Sequence, residues 1–167
     1  MRAAYPCNAL VVPPDERLYR AVTVAAPPEW AFRWLCQLRV APYSYDWIDN
    51  GGRVSPPELT PGAEVLTEGQ PMMSVFELAS FEPGRSLTLR IVDPRAGRAF
   101  GEVAVTYAVL PGSEPNTSRL VAKLLVRYPR SLYGRAMRAV LPWGDLIMMR
   151  KQLLTLKALS ERDASEV

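Results

Sequence analysis

The sequence predicts a single α+β domain in which a curved antiparallel sheet of about seven strands wraps a long C-terminal helix, with two short helices after the first strand. Three observations carry this. The chain closes on an amphipathic run, its middle repeats strand patterns between turn signals, and its first strand pattern leads into a helix that opens on proline.

In the closing run, residues 144–162, Leu146, Met149, Leu153 and Leu156 recur three and four apart, widened by Ile147, Leu154 and Leu159. Arg150, Lys151, Thr155, Lys157 and Glu161 take the other side. Asp145 is placed to cap the first turn, while Pro142 stops a shorter helical piece over residues 131–141. The triplet Pro142-Trp143-Gly144 then reads as a joint. At a rise of ~1.5 Å per residue the closing helix reaches about 27 Å, enough to cross a small sheet.

Taken from the start, residues 1–16 read as an extended, partly mobile leader, 17–162 as the domain and 163–167 as a tail. Leu18, Arg20, Val22 and Val24 share one face of a first strand over 17–25. Pro27-Pro28-Glu29 opens a helix whose buried stripe is Ala31, Trp34, Leu35 and Leu38 and which breaks before Pro42. Residues 43–50 follow as a short helical turn closed by Asn50-Gly51-Gly52. Strand patterns then occupy 63–67, 72–81, 86–92, 100–109 and 117–128, and the turn residues between them indicate a meander.

The bulk numbers suit an ordinary globular chain: 167 residues, 49% apolar, net charge +3. The absence of histidine excludes Ser-His-Asp and Cys-His nucleophile systems and histidine-ligated haem or zinc. Cys7 and Cys36 are too few for a disulfide framework and read as free thiols in a reducing cytoplasm. The apolar run Ala9-Leu10-Val11-Val12 stops at Pro13-Pro14 without a signal-peptide core, and no run nears the ~20 apolar residues of a membrane span. The expectation is a cytoplasmic protein with no stable membrane insertion, no metal and no cofactor.

The order strand, helix, short helix, strands, long helix resembles the SRPBCC superfamily, whose helix-grip members include START lipid-transfer domains and polyketide cyclase/aromatase proteins. The likeness spans about Leu18 to Arg162. It rests on Val24-Ala-Ala-Pro-Pro-Glu-Trp-Ala-Phe-Arg-Trp-Leu35, on Phe81-Glu-Pro-Gly-Arg-Ser-Leu-Thr-Leu89, on Tyr43-Ser-Tyr-Asp-Trp-Ile-Asp-Asn-Gly-Gly-Arg53 and on the last helix. These are marks of fold, not of catalysis. The resemblance implies a cavity between sheet and last helix that takes an apolar or amphipathic small molecule.

Candidate residues follow. Tyr43, Tyr45, Asp46, Trp47, Asp49, Asn50 and Arg53 form the densest polar and aromatic cluster. At a pocket mouth the phenols would donate protons and Asp46 accept them; the alternative is that the aromatics plug the core and the polar groups cap turns. Arg90 would anchor a carboxylate or enolate if its strand face is concave, and is solvated with Glu77 if it is not. Tyr45, Trp47, Met72, Met73, Phe76, Trp143, Leu146, Met148, Met149 and Leu153 are candidate lining, or else plain core. From Pro115 to Ser160 nine Lys and Arg residues stand against Asp145 as the only acid. Such a face suits an acyl-carrier protein, a phosphate-bearing ligand or an anionic surface, or it is simply solvated; no nucleic-acid-binding signature accompanies it.

Three functions are therefore open: a binding protein for a small hydrophobic or polyketide-like molecule, a cyclase or aromatase working by proximity and acid-base catalysis through Tyr43, Tyr45, Asp46 or Arg90, and an interaction protein using the basic C-terminal face.

Overall fold

The computed structural model describes residues 5–45, 47 and 51–166, with only the backbone of Asp145. After a 3-10 turn at Pro6–Ala9 come β1 (Glu16–Val24), α1 (Pro28–Cys36), a second 3-10 turn at Gln37–Arg39, β2 (Pro71–Met72), β3 (Phe76–Glu82) and β4 (Ser86–Ile91). They are followed by α2 (Pro94–Phe100), β5 (Glu102–Pro111), β6 (Ser118–Arg127) and α3 (Leu132–Ser165). The strands form one six-stranded sheet in the order β1-β6-β5-β4-β3-β2, every neighbouring pair antiparallel.

Strand alternation gives the sheet two distinct faces. Leu18, Leu124, Val105 and Leu89 lie in one cross-strand register and face α1 and α3. The next register, Arg17, Leu125, Ala104 and Arg90, faces the other way. There Ala104 and Leu125 pack with Cys7 and Val11 of the N-terminal segment.

That segment departs from the extended, mobile leader read in the sequence. The Cys7 N–H donates to Thr106 Oγ1 at 3.1 Å, and the Thr106 hydroxyl is paired with Thr88 Oγ1 at 2.9 Å. Lys123, buried on this outer face, donates to Asn8 Oδ1 at 2.6 Å with its ammonium 5.1 Å from the ring centres of both Tyr5 and Tyr19. A buried cation needs such partners, and the leader supplies them.

Four further departures have local causes. Residues 63–67 pair with no strand: the Ala63 and Val65 N–H groups bond locally to the Thr60 and Gly62 carbonyls, and the sheet has six strands where about seven were expected. The strand expected over 72–81 is split because Met73 and Ser74 adopt left-handed backbone, with φ of 44° and 64°. Residues 93–99, a turn between the strands expected at 86–92 and 100–109, instead open α2: Asp93 Oδ1 accepts from the Arg95 and Ala96 N–H groups at 2.9 and 2.7 Å, and Pro94 occupies the first turn.

The expected joint at Pro142 is absent: α3 is continuous over 34 residues, capped by Ser131 Oγ accepting from the Gly134 N–H at 3.1 Å. Asp145 therefore sits inside the helix and does not begin it. An interior proline costs roughly 3 kcal/mol; Met137 and Leu141 before it and Met149, Leu153 and Leu156 beyond it pack on one core, which offsets that cost. The helix also runs past residue 162 into the expected tail. Its far end is fixed to α1 by Trp34 Nε1 donating to Asp163 Oδ2 at 2.9 Å, and to the edge of β1 by Lys157 Nζ on the Thr23 carbonyl at 2.8 Å. Glu161 Oε1 accepts from the Ala25 N–H at 2.6 Å.

Candidate functional site

The space under α3 is lined by apolar side chains that are almost wholly buried: Trp34, Met72, Leu78, Leu87, Leu89, Leu120, Met149 and Leu153. Inside this lining sits a polar relay. Tyr107 OH donates to Gln152 Oε1 at 2.6 Å, and Gln152 Nε2 donates to the Pro42 carbonyl at 2.6 Å and approaches Met73 Sδ at 3.3 Å. Strand β5 points Tyr107 inward in register with Leu87 on β4 and Ala122 on β6, and Ala122 is in turn opposite Arg20 on β1. One inner row thus carries a guanidinium and a phenol with only a methyl group between them. Arg20 is half-buried and also bonds the Tyr19 carbonyl at 2.9 Å.

Gln152 ties together two strained segments. Tyr43, next to Pro42, has φ of 54°, and Met73 has 44°. Non-glycine residues in this region are uncommon and cluster where a site is held under tension. Tyr43 itself is buried, with its ring edge-on to Trp34 at 5.8 Å between centroids.

Of the residues singled out from the sequence, Met72, Phe76, Met149 and Leu153 contribute to the inner core. Tyr45 is half-buried, while Trp47, Trp143 and Leu146 are exposed. Asp46, Asp49 and Asn50 lie outside the described residues, as does Ile48, which leaves half of the expected second short helix at 43–50 outside them. Arg90 is on the outer face, its guanidinium 2.5 Å from Glu77 Oε1, so the reading in which it anchors a ligand inside the grip is corrected. The register shared with Ala104 and Leu125 fixes that orientation. The inward cation is Arg20, which the alternation of the first strand already grouped with Leu18, Val22 and Val24. Gln152 and Tyr107 were missed. Gln152 flanks the Met149–Leu153 stripe of an amphipathic helix, where one amide reads as surface.

Two wider clefts lie outside the grip. One of about 760 Å³ opens beside α2 and the leader, between Val11, Arg98, Gly101 and Arg130. Another of about 520 Å³ lies at the end of α3, between Trp30, Glu58 and Asp163. Among the described residues no cluster of His, Cys, Asp or Glu could hold a metal ion, and no helix is long and apolar enough to cross a membrane.

Both cysteines are buried free thiols. Burial pushes Cys36 up to about 12, with the Glu64 carboxylate adding to it. Burial also raises Cys7, against the opposing pull of its Thr106 hydrogen bond and Lys123. Burial acts upward on Glu161 as well, but the Ala25 N–H and Lys157 together outweigh it and hold that carboxyl below its usual range.

No family model and no curated protein sequence matches the chain. Solved structures do. The Zhui aromatase/cyclase from Streptomyces sp. R1128 superposes with a TM-score of 0.56 at 17% identity, over 88% of this chain and 94% of that one. Protein CV1439 from Chromobacterium violaceum gives 0.52 at 15% identity, over 87% and 96%. DynU16, a protein of the dynemicin biosynthetic locus, gives 0.50 at 19% identity, over 86% of this chain but 48% of its own. At these identities the likeness concerns the fold, and it agrees with the strand order and the clasped final helix: the chain carries a helix-grip fold.

Proposed function

We propose that the chain binds a small hydrophobic or polyketide-like molecule between the inner face of the sheet and α3. The observation that carries this reading is the Tyr107–Gln152 pair, a donor and acceptor set inside an otherwise apolar enclosure and tied through Gln152 to two segments with strained backbone. Pockets for such molecules combine an apolar wall with a few placed polar groups. A guest with one carbonyl or hydroxyl would exchange with Gln152 for Tyr107 or the Pro42 carbonyl. The segments at Tyr43 and Met73 would move outward, relieving part of their strain as space opens. Affinity would come mainly from apolar burial, about 25 cal/mol per Å².

Turnover of a poly-keto chain is the second reading. It draws on the fold shared with an aromatase/cyclase and on Arg20 and Tyr107 facing the same side of the sheet, a cation and a proton donor suited to an enolate.

Native mass spectrometry of the purified protein tests the first reading. A bound small molecule should survive gentle desolvation, and Gln152→Leu, which removes the polar partner from the enclosure, should lower its retention. A protein that emerges empty and that no apolar carbonyl compound stabilises against heat would sink it. The second reading needs product formation that Tyr107→Phe and Arg20→Gln suppress without loss of binding.

A further inference from the structure

Ligand uptake inside the grip leaves the outward face of α3 without a role. On that face Tyr133, Val140, Ile147 and Leu154 recur seven residues apart, with Ala136 and Trp143 between them. Tyr133 is 53%, Val140 63%, Trp143 69%, Ile147 57% and Leu154 41% exposed, and Leu132 beside them is 82% exposed. Single exposed apolar residues are ordinary, but a stripe of five along one helix is not. The helix needs none of them to hold the sheet, since Met137, Leu141, Met149, Leu153 and Leu156 do that from the opposite side.

The charges beside the stripe select its partner. Arg150 and Lys151 fall on the same face between Ile147 and Leu154, Arg135 flanks its start, and all three are exposed. Asp145 remains the only acid in the whole stretch from Pro115 to Ser160. A second copy packed antiparallel about Trp143 would set Lys151 against Arg135, and a parallel copy would set Arg150 and Lys151 against themselves. Like charges in those places oppose self-pairing. An anionic lipid surface meets both demands: its headgroups pair with the cations, and its interface takes tryptophan, tyrosine and aliphatic side chains to a shallow depth.

We propose that the outward face of α3, from Tyr133 to Leu154, docks flat on an anionic membrane surface, with Trp143 and Ile147 entering the interface and Arg135, Arg150 and Lys151 paired with lipid headgroups. The helix lies on the bilayer and does not span it, since its inner side stays on the sheet.

Flotation of the full chain with vesicles tests this. It should float with vesicles containing phosphatidylglycerol, remain below with phosphatidylcholine alone, and be released by salt. Arg150→Gln with Lys151→Gln should weaken binding about fivefold per cation removed. The combined variant Val140→Ser, Trp143→Ser, Ile147→Ser should weaken it about tenfold or more with circular dichroism unchanged, because these side chains are already in water. The proposal fails if the chain ignores anionic vesicles or if the triple serine variant floats as the parent does. It also fails if sedimentation reveals a dimer that the triple variant dissolves, which would assign the face to a second copy.

Discussion

Removing the Tyr107 hydroxyl tests the interior most directly. Tyr107 is 1% and Gln152 5% exposed, and their hydrogen bond is 2.6 Å long. Tyr107→Phe leaves Gln152 Oε1 in an apolar enclosure without this donor, a loss of about 1–3 kcal/mol. Gln152→Leu removes that acceptor and also the donor to the Pro42 carbonyl, for about 2–4 kcal/mol by the same reckoning. Making both changes removes the mismatch at its source, so the double variant should lose less than the two singles together by ~1 kcal/mol or more. Urea unfolding followed by circular dichroism measures all three; at this chain length each 1 kcal/mol shifts the thermal midpoint by about 2–4 °C. If each single variant falls within ~0.5 kcal/mol of the parent, or the double equals their sum within ~0.3 kcal/mol, the buried relay does not exist and the polar handle of the proposed pocket goes with it.

Three other outcomes are expected. Arg90→Ala should cost at most about 1 kcal/mol and leave retention of any guest unaltered, because it breaks only a half-exposed pair with Glu77 on the outer face; a lost guest in native mass spectrometry would contradict this. Gly134→Ala should destabilise by about 1–3 kcal/mol despite the better helix former, since the new methyl would meet the Pro129 carbonyl oxygen at 1.9 Å; thermal melting reads the loss. Cys36, held protonated by burial, has its pKa raised from 9.0 to about 12, so its contribution is intact below 9.0 and declines as pH climbs toward about 12. The parent should therefore lose stability relative to Cys36→Ala across that window, and the thiol should resist iodoacetamide until the chain unfolds.

The parts of the fold legible in the sequence were those set by local pattern. The alternation of 86–92, 100–109 and 117–128 located β4, β5 and β6, and Pro28 with Glu29 located the opening of α1. Where pattern and tertiary contact disagreed, contact won. Pro142-Trp143-Gly144 carries every local sign of a break, yet apolar residues on both sides share one core and the helix runs through. Asp93-Pro94 carried a helix-start signal as well as a turn signal, and the choice between them needed the amide hydrogen bonds. The leader's burial depends on Thr106 and Ala104, about a hundred residues away, which no window of sequence contains. For the site, alternation put Arg90 with Thr88 and Val92 but left open which side of the sheet is concave; only the register with Ala104 decides it. Gln152 was illegible because its value lies in what it meets across the core.

The fastening of α3 to β1 has an effect at the rim of the sheet. An outermost strand offers unused amides and carbonyls to any extended chain that drifts past, the usual start of edge-to-edge aggregation. On β1 and just beyond it, the Thr23 carbonyl, the Ala25 amide and the Tyr19 carbonyl are already taken by Lys157, Glu161 and Arg20. A foreign strand could register there only by evicting three charged side chains at once, two of which also bond each other. The same helix that closes the grip thus doubles as a guard against templated stacking.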